Sequence, residues 1–125
     1  MRVLITGGGG MVGRNLLTHP SSKHHEILSP SRSDLDLRNY AATELYIDTN
    51  RPDIVIHSAG RVGGIQANMM NSFGFLVENL DIGRNIVLAC AKVGIPRLIN
   101  LGSSCMYPRN AQNPLQEELV LTGEL

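Results

Sequence analysis

Short apolar runs alternate with longer stretches of helical period along this chain of 125 residues. Val3-Leu4-Ile5 reads as a first strand, closed by Thr6-Gly7. The period then lengthens, and residues 10–18 predict a helix that His19-Pro20 stops, because proline restricts the residue before it. Glu26-Ile27-Leu28 is a second strand, leaving through the polar loop Ser29-Pro30-Ser31-Arg32-Ser33. A second helix is predicted over residues 39–49, with Pro52 beyond its end. Asp53-Ile54-Val55-Ile56-His57 is a third strand and Leu98-Ile99-Asn100-Leu101 a fourth. Between them lies the clearest helix of the chain. Leu76, Leu80, Gly83, Val87 and Cys90 recur every three or four residues and share one face. Gly94 suits a left-handed residue past its end, and Pro96 bars continuation.

The first and third strands lack polar alternation, as strands covered on both faces do. The β-α-β-α-β-α-β order therefore predicts an α/β fold, a Rossmann-type doubly wound parallel sheet. A strand order of 3-2-1-4 is expected, which leaves the fourth strand at an edge where further strands pair in a complete domain. Residues 1–125 are thus expected to be the N-terminal portion of a dinucleotide-binding domain, its first four strands, without a substrate domain. Residues 103–125 show no sustained period and predict loop, with at most one short helix over residues 116–119.

Charge narrows the partners. Eleven basic residues balance eleven acidic ones, for a formal charge of +0 and a pI of about 6.9. No field of one sign exists to recruit nucleic acid or an anionic membrane. The longest apolar run is too short to span a bilayer. Glycines follow the first Met too soon for a secretory signal, so a cytoplasmic location is expected. Cys90 and Cys105 make no disulfide framework, and Cys90 falls on the apolar helix face, as a core residue does.

The thirteen glycines are clustered, and the clusters carry the chemistry. Gly7-Gly8-Gly9-Gly10-Met11-Val12-Gly13 follows a strand and opens a helix, spacing Thr6, Gly7, Gly10 and Gly13 as Thr-Gly-x-x-Gly-x-x-Gly. Such a turn brings main-chain amides and a helix start to a pyrophosphate, so a dinucleotide site is expected here. Gly8 and Gly9 fit an unliganded turn equally well. The second strand ends without the acid that usually holds an NAD ribose. Arg32 is there instead, either a partner for a 2′-phosphate, which favours NADP, or a solvated loop arginine. Asp36 is either an acceptor for an adenine amino group, with Leu37 packed on the ring, or a helix-start acid. Ala59-Gly60-Arg61-Val62-Gly63-Gly64 falls at the carboxyl edge, as a close approach for cofactor or as a flexible connection. Leu101-Gly102-Ser103-Ser104-Cys105 falls at the same edge. A hydroxyl there suits a substrate carbonyl, and Cys105 is either an acid–base thiol or a buried structural cysteine. His24, His25 and His57 show no metal-ligand spacing: the first two read as a solvated turn, the third as a satisfied strand end.

Thr6-Gly7-x-x-Gly10-x-x-Gly13, Asn79-x-x-x-x-x-Asn85 and Gly102-Ser103-Ser104 resemble the extended short-chain dehydrogenase/reductase family of nucleotide-sugar enzymes. Arg61-Val62-Gly63-Gly64-Ile65-Gln66-Ala67-Asn68 and Gly102-Ser103-Ser104-Cys105-Met106-Tyr107-Pro108 are similar to its branch of GDP-4-keto-6-deoxy-D-mannose epimerase-reductases. That resemblance implies epimerisation at C3 and C5 of the GDP-sugar and reduction at C4 with NADPH, giving GDP-L-fucose. It implies that Ser103 hydrogen-bonds the keto oxygen and that Cys105 moves protons during epimerisation. It assigns cofactor contacts to residues 6–13, Arg32, Asp36, Leu37 and residues 101–104, including Ser104. It also implies a homodimer in the full-length enzyme and places the family's Tyr-x-x-x-Lys pair beyond residue 125. Tyr40, Tyr46 and Tyr107 are followed four residues on by Glu44, Asn50 and Ala111.

Overall fold

A computed structural model describes residues 1–124; Leu125, the last residue of the expected domain, lies outside the described residues. Four parallel strands form one sheet: β1 (Arg2–Thr6), β2 (Glu26–Leu28), β3 (Ile54–His57) and β4 (Leu98–Asn100). The connecting helices are α1 (Met11–Thr18), α2 (Tyr40–Asn50), α3 (Ile65–Met70) and α4 (Ser72–Val93). The α/β fold with a parallel doubly wound sheet is therefore present.

The spatial order is β2-β1-β3-β4, which corrects the expected 3-2-1-4. Val3, Leu4, Ile5 and Thr6 pair with Ile54, Val55, Ile56 and His57, and β3 pairs on its other side with β4. Burial explains the difference. β3 is buried nearly throughout and needs a neighbour on each side, whereas the half-exposed β2 tolerates the edge. β4 is the other edge, as expected, and its Ile99 is exposed.

Alternate residues of each central strand feed two cores. Leu4 and Val55 pack on one face with Ile47 of α2 and Ile86, Ala89 and Cys90 of α4. Val3, Ile5 and Ile54 face the opposite way, toward Leu16 and Leu17 of α1. The period-2 geometry of a strand makes that split unavoidable once both faces are covered.

Helix ends follow the local chemistry. The Asn39 side chain caps α2 by accepting from the Ala42 amide at 3.1 Å. Gly94 takes the left-handed conformation at φ 79° and ends α4, as expected. The face expected to be apolar on α4 is corrected in phase. Cys90 is buried, but Leu76, Leu80 and Val87 are exposed, and the buried face carries Phe75, Asn85, Ile86 and Ala89. Two apolar stripes share the helix, and spacing alone does not say which meets the sheet. Pro20–His24 and Ser104–Met106 form 3-10 turns that the period does not signal, and α3, directly after the glycine cluster of residues 59–64, is a helix that the period does not signal either. A 3-10 turn at Glu117–Leu119 falls within the short helix expected near there.

Candidate functional site

The carboxyl ends of β1 and β3, the exit of β2 and one face of α4 enclose a cleft of about 360 Å³. Thr6 and residues 7–10 form its floor. Gly7 sits at φ 74°, a conformation side chains resist, and a Cβ there would lie 2.7 Å from the Ala59 backbone. Gly13 is buried, and a Cβ on it would collide with the Gly7 carbonyl. The turn and the close seating of α1 on β1 therefore both require glycine. The Gly10 amide donates to Gly7 O at 2.9 Å, and the Arg14 amide to Gly10 O. No side chain caps the start of α1, and its first turn holds no acid. The amides of Met11, Val12 and Gly13 have no partner within the helix, and the helix dipole adds positive potential. Nothing lies within 4 Å of a Cβ built on Gly9, so that rim is open. An anion would find space, donors and field together.

The walls carry charge. Arg32, after β2, lines the cleft with a side chain that remains 68% exposed. Asp36, expected as an adenine acceptor, is taken by a neighbour: Arg38 Nε lies 2.9 Å from its Oδ1 and Nη2 lies 2.6 Å from its Oδ2. Hydrogen bonding from Arg38 lowers the Asp36 carboxyl to about 2. Leu37 is buried in the core while one side of it reaches the cleft, so an adenine would rest against an already fixed residue. Ala59, Gly60 and Arg61, after β3, also line the cleft.

Spacing does not single out Glu78, and it gives no partners for Arg61, Asn79 or Asn85. Glu78 of α4 projects into the cleft and accepts from Arg61 Nη1 at 2.8 Å. Arg61 also lies over the Phe75 ring, 4.5 Å from its centroid. Asn79 clamps the Arg61 backbone in both directions: its Oδ1 accepts from the amide at 2.7 Å and its Nδ2 donates to the carbonyl at 2.9 Å. Asn85, fully buried, donates to Leu37 O and Arg38 O, both at 2.9 Å. The two asparagines thus tie α4 to two cleft segments. Their six-residue spacing was a signal, but it named no partner.

The structure does not bring every expected residue to the cleft. Leu101, Gly102, Ser103, Ser104 and Cys105 follow β4 and do not line it. The Leu101 amide donates to His57 O and continues the sheet, and Ser103 Oγ accepts from the Cys105 amide at 3.2 Å. Cys105 is a free, exposed thiol among the described residues. Cys90 is a buried thiol that burial raises to about 11. His57 is buried, with Nδ1 2.7 Å from Thr6 Oγ1, and burial lowers its pKa. His24 and His25 are exposed. Among the described residues no helix is long and apolar enough to cross a membrane, and no cluster of three His, Cys, Asp or Glu is placed to hold a metal.

Known proteins share this arrangement. A GDP-L-colitose synthase of Yersinia pseudotuberculosis is 47% identical over 125 residues, covering 100% of this chain and 41% of the relative. A GDP-L-fucose synthase of Azorhizobium caulinodans is 47% identical over 122 residues, 98% of this chain and 39% of the relative. The chain therefore spans about two fifths of the length of these curated relatives. Among solved structures, a Campylobacter jejuni GDP-D-glycero-L-gluco-heptose synthase, crystallised in the presence of NADPH, superposes with a TM-score of 0.87 at 30% identity. That match covers 99% of this chain and 36% of the other. A GDP-L-fucose synthetase of Naegleria fowleri bound to NADP gives a TM-score of 0.77 at 28% identity, over 98% of this chain and 36% of that one. Residues 3–125 match the NAD dependent epimerase/dehydratase family, and with the glycine turn, the parallel sheet and the cleft in place, the chain belongs to that family.

Proposed function

We propose that these residues are the NADP-binding N-terminal part of a GDP-sugar epimerase-reductase of the GDP-L-fucose synthase type. Its reaction would convert GDP-4-keto-6-deoxy-D-mannose to GDP-L-fucose by epimerisation at C3 and C5 and reduction at C4. One observation carries the reading: the uncapped start of α1 and a wall of guanidinium groups open into the same cleft. A dinucleotide needs both, one for its diphosphate bridge and the other for a 2′-phosphate. Curated relatives at 47% identity named for GDP-sugars support the substrate class.

The amides of Met11, Val12 and Gly13 would hold the diphosphate, with Gly8, Gly9 and Gly10 letting it approach. Arg32 and Arg38 would face the 2′-phosphate, while Leu37 and Ala59 pack the adenosine. NADPH, when bound, supplies the hydride for C4. Ser103 Oγ accepts from the Cys105 amide, so its own hydrogen is free to donate to the keto oxygen. That donation stabilises the enolate that forms when a proton leaves the neighbouring carbon. The accessible Cys105 thiol is the proposed shuttle for that proton. Residues 1–125 hold no Tyr-x-x-x-Lys pair to protonate the C4 oxygen. They are proposed to bind cofactor without turnover.

Titration of the chain with NADPH and NADH, followed by fluorescence, tests the reading. Binding of NADPH in preference to NADH, reduced in Arg32→Ala for NADPH alone, supports it. Absence of binding to either nucleotide removes it. A second reading, a GDP-L-colitose-type enzyme, is favoured by the equal identity to that relative. Assay of the longer gene product against several GDP-4-keto-sugars separates the two.

A further inference from the structure

Glu78 has no role in the reading above, yet three guanidinium groups converge on it, two from the connection after β2 and one from the loop after β3. Its Oε1 lies 2.8 Å from Arg61 Nη1 and 4.0 Å from Arg38 Nη1, and its Oε2 lies 3.8 Å from Arg32 Nη2. Only the Arg61 contact is short. The contacts to Arg32 and Arg38 sit at the limit of ion-pair range, so neither cation is saturated by Glu78. The Glu78 side chain is only 24% exposed and lines the cleft. Asp36 engages Arg38 from the other side. Two carboxylates therefore offset three guanidinium groups, leaving the wall with one surplus positive charge.

We infer that Glu78 is a built-in counter-anion that competes with a 2′-phosphate for Arg32 and Arg38, and so limits how strongly the cleft prefers NADP to NAD. The inference rests on the proposal that the cleft takes a nicotinamide dinucleotide. An anion bridging Arg32 and Arg38 must lie within a few ångströms of the Glu78 carboxylate. A phosphomonoester brings a charge of about −1.5 to −2. Like charges that close repel strongly at low salt, and the exposed Arg32 side of the wall lets added salt screen them. Glu78 also helps to hold the arginines in place, which acts in the opposite direction. That help is small, because long contacts to exposed side chains organise little. Repulsion therefore outweighs organisation. An unphosphorylated ribose brings no second anion, so Glu78 is nearly indifferent to it.

The test compares wild-type chain with Glu78→Gln, which keeps the shape and removes the charge. Affinities for NADPH and NADH are read by fluorescence titration at low and moderate salt. The expected result is NADPH bound about tenfold more tightly by the variant at low salt, with the gain shrinking as salt rises and NADH changed by less than about twofold. Glu44→Gln, which removes a charge that meets Lys92 and Tyr40 outside the cleft, is expected to change neither affinity. Thermal melts confirm folding, and Glu78→Ala answers the same question should the glutamine variant melt early. Weaker NADPH binding, or an unchanged NADPH/NADH ratio, overturns the inference while leaving the proposed function standing. A wild-type chain that binds neither nucleotide overturns both.

Discussion

Gly7 and Gly9 stand two residues apart in the same loop and answer to different constraints. Gly7 has a positive φ, and a side chain there would press on the Ala59 backbone. Gly7→Ala is expected to destabilise the fold by about 2 kcal/mol or more, the left-handed cost plus the steric one, read as a lower urea midpoint. Gly9 borders open space, so Gly9→Ala is expected to shift stability by less than about 0.5 kcal/mol. The same variant is expected to weaken NADPH binding, because the methyl stands where the diphosphate approaches. Equal losses of stability in the two variants would refute this division of roles. His57 adds a pH dependence. Burial lowers its pKa from 6.5, so the unfolded chain takes up the proton first as pH falls. The stabilisation from keeping His57 neutral is complete above about pH 6.5 and declines below it, until the folded imidazole is protonated as well. Between about pH 7.5 and 5.5 the urea midpoint should fall, and His57→Leu should flatten that slope. A slope unchanged by the substitution would assign the effect to other groups.

The long helix α4 does more than close the sheet. Its Asn85 amide reaches across to two carbonyls on the approach to α2, at a fully buried position. Asn85→Ala removes both bonds and strands buried acceptors, for an expected loss of about 2–3 kcal/mol, measured by chemical denaturation. Asn79 is more exposed and holds only the Arg61 loop, so Asn79→Ala is expected to cost little stability and to weaken NADPH binding. The contrast separates an element-anchoring residue from a site-positioning one. Neither partner set was readable in the sequence, since hydrogen bonds across 18 and 48 positions have no local signature. The existence of α4 and its terminating glycine were readable, because period and capping are local properties. The phase of its burial was not, because the helix carries apolar residues on two faces.

At the level of the molecule, the neutral charge balance conceals a local excess. Basic and acidic residues cancel over the chain, yet Arg32, Arg38 and Arg61 gather on one wall against Asp36 and Glu78. NADPH binding is therefore expected to weaken measurably as salt rises, with NADH binding less affected. Composition cannot reveal such an excess, since it counts charges without positions. The limits of the strands along the chain and the glycine turn were legible because each depends on neighbours within a few residues. Apolar runs too regular to face water on either side also dictated a covered parallel sheet. The lateral order of the strands, the tie between Asp36 and Arg38, and the placement of Glu78 among three arginines depended on segments tens of residues apart. Sequence spacing carries no information about such encounters. They are decided when the helices settle on the sheet, because burial of the whole surface selects among arrangements that are locally equivalent.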